Sequence, residues 1–491
     1  MIEIPRERRE SYLRNCRILA VISTVTALFY LKWLLFDAVP ENTVLYWLLV
    51  LAEIFNIAQA AGFWYTISMQ RWHDPEVPNF SASRESVDIF ITVMGEPMEV
   101  VEKTIHAARA VRHPRAKVWV LDDGNSDELR HFAQWHKVGY LTRSDHSGAK
   151  AGNINHALKR TSGTYFAIFD ADQAAYPEFL EATMAAFDDP TVAFVQTPQV
   201  YHNRVENRVA AGAHDQQALF YGPILRGKDG CDAVFSCGTN VVYRRSAIDA
   251  IGGLPEDSIT EDLRGSLLLI KQEYTSVYVS KVLAEGLGPL DVQSYFSQQF
   301  RWGRGGLEIL FKRKPYSSKL SFRQGLQYSL SFIYWFTGWA YLVYLVLPVA
   351  FLTAGLRPVQ IPNEYPAHFL PYVTSALATI IYASDFQIRF DALWFTLASF
   401  PVHAAALLST FFGKAAAFVV TPKHKSRMTL RPVIIHIVVI TILFGAAIYG
   451  TLTEGAIPSV LNNVAWAIAH IVLLQGFVRL TLEPERPRTG D

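Results

Sequence analysis

The distribution of hydrophobic and polar positions divides the chain into long apolar runs near its two ends and a charge-rich region between them. Two long apolar runs open it, at residues 18–36 and 44–67, and each is long enough to cross a hydrocarbon core of about 30 Å. From about residue 74 to 320, charges recur every few residues between short apolar runs. Beyond residue 325 long apolar runs return, at about 327–354, 363–384, 431–453 and 457–480. The pattern predicts a water-soluble domain inserted between membrane-spanning helices.

A further apolar run at 393–412 has Pro401 and His403 in its middle. Basic residues cluster before the first run, near 312–323, at 414–431 and at 479–488, and such clusters favour the cytoplasmic side. Placing all four clusters on one side requires an even number of crossings between 320 and 414. We therefore expect the run at 393–412 to lie along the membrane interface, with six spans in total and both termini inside.

These patterns predict an α/β domain inserted in an α-helical transmembrane region of about six spans. The first segment, 1–73, holds a tail and two spans, and the soluble domain occupies 74–320. The remaining segments are a pair of spans at 321–390, an interfacial helix and loop at 391–430, and two further spans with a short cytoplasmic tail at 431–491.

Composition narrows the class of protein. Hydrophobic residues make up 51% of the chain and charged residues only 18%, against about 25% in ordinary soluble domains. The net charge of +1 argues against a protein built to hold polyanions, so we expect no nucleic-acid partner. The 3 cysteines form no framework for a secreted disulfide scaffold.

Within the soluble region, apolar strands at 87–93, 118–121, 165–169 and 192–195 alternate with helical stretches. This alternation predicts an α/β domain with a mainly parallel sheet, whose ligands bind at the carboxyl ends of the strands. Carboxylates stand at two of those ends: Asp122 and Asp123 follow the second strand, and Asp170 and Asp172 follow the third. Asp170 and Asp172 project the same way and are suited to a divalent cation such as Mg²⁺ or Mn²⁺. The alternative is a solvated turn.

Three other sets of residues suggest group-transfer chemistry. Lys150 stands among glycines at a predicted helix start, where backbone N–H groups and one positive charge favour a phosphate. An ordinary helix cap with an exposed lysine is the alternative. Glu261 and Asp262 begin another helix, where they either cap it or supply a general base. The third set is Gln298, Arg301 and Trp302. The guanidinium of Arg301 can bind a phosphate at two points, and the ring of Trp302 either stacks on a sugar or belongs to an interfacial belt.

The order of these sets resembles the processive family-two inverting glycosyltransferases, the group of cellulose, curdlan and hyaluronan synthases. The shared sets are Asp-Asp-Gly, a Gly-Lys-Gly-Asn turn, Asp-x-Asp, Thr-Glu-Asp and Gln-x-x-Arg-Trp. Residues 235–239, Phe-Ser-Cys-Gly-Thr, resemble the acceptor loop of cellulose synthase-like enzymes. Residues 418–423, Phe-Val-Val-Thr-Pro-Lys, resemble their gating loop.

The resemblance implies a GT-A-like domain and a role for each matching residue. Glu261 and Asp262 would form the catalytic pair, with Asp262 as the base. Asp172 would hold a divalent cation, Mg²⁺ or Mn²⁺. Acceptor contacts would come from Cys237, Gly238 and Trp302. Donor contacts would come from eight residues: Asp122, Asp123, Lys150, Asp170, Gln298, Arg301, Thr421 and Lys423.

Three positions depart from the family pattern. Gly95 precedes Glu96 where the first-strand motif usually has Asn, so the resemblance leaves the nucleotide contact there open. Gln173 stands where cellulose synthases often have His after Asp-x-Asp. Thr239 and Asn240 replace small residues after Cys-Gly. Because the last two sites should lie near the acceptor terminus, the linkage stays open between β-1,4, β-1,3 and mixed products.

The resulting expectation is a synthase that transfers glucose from UDP-glucose to the non-reducing end of a growing β-glucan and moves the polymer across the bilayer. Its setting would be a bacterial inner (plasma) membrane with the catalytic domain cytoplasmic, and accessory export or regulatory partners stay open. One alternative is a non-processive enzyme that puts one sugar on a lipid. The other is a transport or receptor protein that binds a nucleotide-sugar without turnover.

Overall fold

The computed structural model describes residues 4–74, 85–316, 319–360, 365–413 and 430–483. Two helices open the chain, α1 (Arg6–Lys32), which continues as a short π-helical turn, and α2 (Thr43–Ser68). The side chain of Asn42 caps α2 by accepting a hydrogen bond from the Leu45 N–H, 3.0 Å away. The two helices pack against each other, and Arg9 of α1 pairs with Asp74 beyond the end of α2 at 2.7 Å.

The middle of the chain forms the α/β domain. Its strands are β1 (Val87–Val93), β2 (Ala116–Asp122), β3 (Gly139–Leu141), β4 (Tyr165–Asp170), β5 (Ala174–Ala175), β6 (Val192–Gln196), β7 (Val241–Arg244), β8 (Thr275–Tyr278) and β9 (Ala284–Glu285). Its helices are α3 (Met98–Arg109), α4 (Asp127–Trp135), α5 (Ala149–Leu158), α6 (Phe179–Thr183), α7 (Arg208–Leu219), α8 (Leu225–Asp229), α9 (Arg245–Ala250) and α10 (Glu261–Lys271). Seven strands form one sheet in the order β3-β2-β1-β4-β7-β6-β8, and β5 pairs with β9.

The register of the sheet brings the acidic strand ends together. β1 lies between β2 and β4 and runs parallel to both, with Val93 beside Asp122 and Thr92 beside Asp170. β7 runs antiparallel to β4, so its first residue, Val241, enters the sheet at the same edge, opposite Ile168. The loop that precedes β7 therefore meets the carboxyl ends of the parallel strands, where ligands of such sheets bind.

Helices cover both faces of this sheet. Ile89 of β1 is buried in one core layer with Val101 of α3, while its neighbour Phe90 is buried in the opposite layer with Ile154 of α5. A sheet covered on both faces explains why every residue of β1 is buried and why its sequence is a continuous apolar run apart from Asp88 and Thr92.

The rest of the described chain is helical. The helices are α11 (Val292–Lys312), α12 (Phe322–Ile333), α13 (Thr337–Ala354), α14 (Tyr365–Ala383), α15 (Phe390–Ala398), α16 (Phe400–Phe412), α17 (Ile434–Glu454) and α18 (Pro458–Leu482). α13 packs against α2, α16, α17 and α18, so it lies at the centre of the helical region.

Five helical segments in the described chain are long and apolar enough to cross a membrane: Arg6–Asp37, Thr43–Ser68, Phe322–Ala354, Arg431–Glu454 and Pro458–Leu482. The sixth span expected from the sequence, at 363–384, coincides with α14, which packs along α1 but is not one of these five. Two prolines, one histidine and three tyrosines lower the apolarity of α14.

The run at 393–412 does not form one helix, since it divides at Ser399 into α15 and α16. At 1.5 Å per residue, the 13 residues of α16 extend about 20 Å, too short for a bilayer core of about 30 Å. α16 instead lies against α11. A Cβ added at Gly303 of α11 would stand 3.2 Å from the Cβ of Ala406 and 2.9 Å from the ring of Trp335. The missing side chain thus lets the soluble domain pack closely on the apolar helices.

Candidate active site

Asp122, the last residue of β2, organises the turn that follows it. One carboxylate oxygen accepts a hydrogen bond from the Gly124 N–H at 2.7 Å. The other accepts from the Ser126 N–H at 2.8 Å and from the Tyr140 hydroxyl at 2.7 Å. The residue is fully buried. These bonds occupy both oxygens, so Asp122 shapes the acidic turn, and its direct contact with a donor stays a prediction.

Asp123 forms a buried, two-point ion pair with Arg143. The guanidinium donates Nε–H to Oδ1 at 2.8 Å and Nη2–H to Oδ2 at 2.7 Å. Arg143 also donates to the carbonyl oxygens of Ser147 and Ala149, each at 2.7 Å, and so ties the acidic turn to the loop before Lys150. Sequence reasoning missed Arg143, although it lies just beyond the carboxyl end of β3, where the rule used for the aspartates applies.

Lys150 lies at the start of α5 and joins two parts of the site. Its Nζ contacts Asp170 Oδ1 at the end of β4 and donates to the Gly238 carbonyl oxygen at 2.8 Å. Burial lowers the pKa of Lys150, but the carboxylates of Asp170, Glu261 and Asp262 outweigh that effect, and the net pKa is raised. The lysine therefore supplies a permanent positive charge at the sheet edge.

Glu261 and Asp262 are the first two residues of α10. Asp262 Oδ1 accepts a hydrogen bond from the Leu263 N–H at 2.7 Å, one of the first-turn N–H groups that have no partner within the helix. Its other oxygen faces Gly238, where an added Cβ would lie 3.0 Å from Oδ2. Burial, with the charge of Asp262 next, raises the pKa of Glu261 to about 7, and burial raises the pKa of Asp262 as well. The pair thus binds protons more tightly than free carboxylates do.

The loop before β7 is held in place by a buried glutamine. Gln196, the last residue of β6, accepts from the Cys237 N–H at 2.8 Å and donates to the Thr239 carbonyl oxygen at 2.9 Å. Gly238 has a φ of +79°, a conformation that favours glycine. Burial, with the charge of Asp262 next, raises the pKa of the Cys237 thiol to about 12, so it stays protonated at neutral pH. Gln196 was also missed, again at the carboxyl end of a strand.

The second part of the Asp-x-Asp set is buried. Asp172 is 8% exposed, and Gln173 beside it accepts a hydrogen bond from the Asn240 amide at 3.1 Å. Two of the departures from the family pattern, Gln173 and Asn240, are therefore in contact. Burial raises the pKa of Glu96, and the charges of Asp170 and Asp172 raise it further.

This excess of negative charge fits a divalent cation, for which Asp172 and Asp170 offer hard oxygen ligands. Across the part of the chain that the structure describes, there is no group of three or more histidine, cysteine, aspartate or glutamate side chains arranged to hold a metal ion. A cation here would complete its coordination with phosphate oxygens and water, as Mg²⁺ commonly does.

The Gln-x-x-Arg-Trp set lies within α11, and its arginine lies near the acid pair. Arg301 lowers the pKa values of Glu261 and Asp262, opposing burial, so its charge lies near both carboxyls. Gln298 lies near the Tyr201 hydroxyl, and its Oε1 is buried with no hydrogen-bond partner among the described residues. Trp302 is half-buried on the same helical turn, and its stacking on a sugar stays a prediction.

α11 also contacts the acid pair's own loop. A Cβ at Gly305 would stand 2.4 Å from the Thr260 methyl group, so the helix approaches Thr260 as closely as a glycine permits. The structure brings together Lys150, Asp170, Gly238, Glu261, Asp262 and Arg301 of the predicted set. Thr421 and Lys423 lie outside the described residues, and their roles stay predictions.

A mainly parallel sheet with an acidic edge, a charged lysine and a buried carboxyl pair defines the class of GT-A-like glycosyltransferases. The chain belongs to glycosyl transferase family group 2, whose family model matches residues 165–478. A mannosyltransferase from Pyrobaculum calidifontis, solved in complex with GDP-Man and Mn²⁺, has a similar fold. Its TM-score is 0.57 at 17% identity, and the match covers 75% of this chain and 99% of that one.

The sequence is also similar to cellulose synthases. The UDP-forming cellulose synthase catalytic subunit of Komagataeibacter sucrofermentans is 28% identical over 502 residues, which cover 96% of this chain and 66% of that protein. The corresponding subunit of Pseudomonas fluorescens is 29% identical over 505 residues, covering 96% and 67%. The chain thus spans about two thirds of the length of these relatives. The resemblance read from the sequence and the GT-A-like fold are confirmed.

Proposed function

We propose that the chain is a membrane-embedded, processive, inverting glycosyltransferase that transfers glucose from UDP-glucose to the non-reducing end of a growing β-glucan. The observation that carries this proposal is the meeting of Glu261 and Asp262 with Lys150 and Asp170 around Gly238. The carboxyl of Asp262, as proton acceptor, and the charge of Lys150, which can neutralise a phosphate, both lie against the turn at Gly238. The similarity to UDP-forming cellulose synthase catalytic subunits supports a UDP-sugar donor and a β-glucan product.

In the proposed reaction, Asp262 takes the proton of the acceptor hydroxyl. The hydroxyl oxygen bonds to the anomeric carbon of the donor while the bond from that carbon to the diphosphate oxygen breaks. The configuration inverts, and UDP leaves with the bonding electron pair. A buried carboxyl with a raised pKa is a stronger base than a solvated one, which suits Asp262 to this step.

The donor would lie along the carboxyl edge of the sheet. Asp123 and Asp170 would face the nucleotide, while Lys150 and Arg301 would neutralise the diphosphate. Asp172, with Asp170 beside it, would hold Mg²⁺ or Mn²⁺. That ion, when bound, stabilises negative charge on the departing UDP. Gln298 would direct its open carbonyl oxygen to a ligand hydroxyl.

The acceptor would end between the Cys237–Gly238 turn and Trp302. From there α11 leads toward the apolar helices. Its Gly303 packs against α16 and against Trp335. This contact gives a growing chain a short route from the site to the membrane helices. We propose that the polymer crosses the membrane there, with the catalytic domain on the cytoplasmic side of a bacterial inner membrane.

The test compares turnover with donor binding in membranes or detergent. Asp262→Asn should leave the dissociation constant for UDP-glucose within about threefold of wild type, while UDP release falls about 100-fold or more. Asp127→Asn is the matched control, because Asp127 also stands in the first turn of a helix but is 80% exposed on its side chain. Undiminished UDP release by Asp262→Asn would refute the proposed base.

A further inference from the structure

Asn155 of α5 holds the segment that leads into the acid pair. Its Oδ1 accepts from the Leu254 N–H at 2.8 Å, and its Nδ2 donates to the Leu254 carbonyl oxygen at 2.8 Å. The same amide donates to Glu256 Oε1 at 2.8 Å. Three hydrogen bonds from one side chain fix both the position and the orientation of this backbone.

Two glycines make room for this contact. A Cβ at Gly253 would stand 2.9 Å from Asn155 Oδ1, and Gly253 has a φ of +101°. A Cβ at Gly148, with a φ of +69°, would stand 2.7 Å from Glu256 Oε2. The segment therefore lies directly against the turn that begins α5.

The far side of the segment is held by charges. Asp257 pairs with Arg264 of α10 at 2.9 Å and with Arg313, just after α11, at 3.0 Å. These pairs tie the segment to the helix that carries the acid pair and to the helix that carries Arg301. Only three residues, 258–260, separate Asp257 from Glu261.

α5 carries Lys150 at one turn and Asn155 five residues later. Lys150 interacts with Glu261 and Asp262 directly through its charge. Asn155 affects their position indirectly, through its hydrogen bonds to the backbone that precedes them. Because an α-helix is rigid over this length, α5 alone sets the distance from Lys150 to the backbone that Asn155 holds, which leads into the two carboxyls.

We propose that Asn155 is a positioning residue for the transfer reaction, which sets Glu261 and Asp262 against Lys150 by holding the backbone of 254–260 to α5. This inference rests on the proposed function. Asn155 contacts no donor or acceptor in this account. Its loss should lower kcat, since small displacements of reacting groups cost large factors in rate, and should leave donor binding largely unchanged.

The experiment uses four full-length proteins in the same membranes: wild type, Asn155→Asp, Glu256→Gln and the double variant. The aspartate at 155 still accepts from the Leu254 N–H but turns a second oxygen toward the Leu254 carbonyl and Glu256. We expect kcat for UDP release to fall about 10-fold or more, with the dissociation constant for UDP-glucose within about threefold. Glu256→Gln alone should be near wild type, because its Oε1 still accepts from Asn155.

In the double variant, the glutamine at 256 donates to the aspartate at 155, so at least a threefold recovery of kcat over Asn155→Asp is expected. The pH profile of kcat should shift in Asn155→Asp and return toward wild type in the double variant. A lower melting temperature with kcat and its pH profile unchanged would overturn the proposal, as would a parallel loss of donor binding.

Hydrogen–deuterium exchange separates this inference from the proposed function. If wild type releases UDP from no UDP-sugar, the proposed function fails. Amide exchange then tests the positioning role independently of activity. Asn155→Asp should speed exchange across 254–263, and the double variant should slow it again. Equal exchange in wild type and Asn155→Asp would overturn the positioning role.

Discussion

Arg143 offers the sharpest test of how the site is built. The Arg143 and Asp123 side chains are 6% and 3% exposed, and two N–H groups of the guanidinium donate to the two carboxylate oxygens. Arg143→Ala leaves the Asp123 carboxylate buried without its cation. Breaking such a pair costs about 3–5 kcal/mol, and the bonds to Ser147 and Ala149 are lost with it.

For a domain of this size, about 2–4 °C of melting temperature accompanies each kcal/mol. Arg143→Ala should therefore lower the melting temperature of the catalytic domain by roughly 6–20 °C, measured by intrinsic fluorescence in detergent. Arg143→Lys, which keeps the charge but loses the two-point geometry, should fall between wild type and Arg143→Ala.

The double variant Asp123→Asn with Arg143→Met is the decisive comparison. It removes the uncompensated charge, so it should melt above Arg143→Ala despite carrying two substitutions. UDP release should stay low in both variants, because the loop before Lys150 has lost its two donors. Equal melting temperatures for the single and double variants would refute the reasoning that an unpaired buried carboxylate is the cause.

Three other predictions follow from the geometry. At Gly238, with a φ of +79°, an alanine Cβ would lie 3.0 Å from Asp262 Oδ2, so Gly238→Ala should reduce UDP release at least 10-fold. At Gly325 an added Cβ has nothing within 4 Å among the described residues, so Gly325→Ala should be neutral or slightly stabilising. Because the pKa of Glu261 is raised to about 7 from 4.5, the folded state keeps a proton that the unfolded state loses. The contribution of Glu261 to stability should therefore fall as pH rises from 4.5 to 7, and a Glu261→Gln melting series with the same pH dependence as wild type over that range would contradict the assignment. Chelation by EDTA should abolish UDP release and added Mn²⁺ or Mg²⁺ should restore it, but not in Asp172→Asn; full activity in EDTA would count against the cation.

The acidic strand ends could be predicted because a parallel sheet places carboxyl ends at one edge, and Asp122 and Asp170 are indeed the last residues of β2 and β4, the strands on either side of β1. The partners of these residues could not be predicted. Arg143 meets Asp123 only because β3 lies beside β2, which depends on strand order. Asn155 meets Glu256 across 101 positions, a contact that local periodicity does not encode.

The helical region shows the same division. Apolar length predicted five long apolar helices that the structure contains, because a bilayer core imposes a minimum number of residues, whereas the sixth expected span, α14, is not among them. The break of the run 393–412 at Ser399 was not foreseen, since it depends on how α15 packs against α7 and α16 against α11. Likewise, the contact between Gln173 and Asn240 joins two positions that the sequence showed only as separate departures.

The most direct test of the proposed function is product analysis. The protein, reconstituted in membrane vesicles, is incubated with Mg²⁺ or Mn²⁺ and with labelled UDP-glucose or UDP-N-acetylglucosamine. Any polymer is then digested with glucanases specific for β-1,3 or β-1,4 bonds. We predict a labelled polymer from UDP-glucose that a β-glucanase degrades, and that is absent with Asp262→Asn. A single labelled sugar on a lipid, or a polymer made only from UDP-N-acetylglucosamine, would contradict a β-glucan synthase.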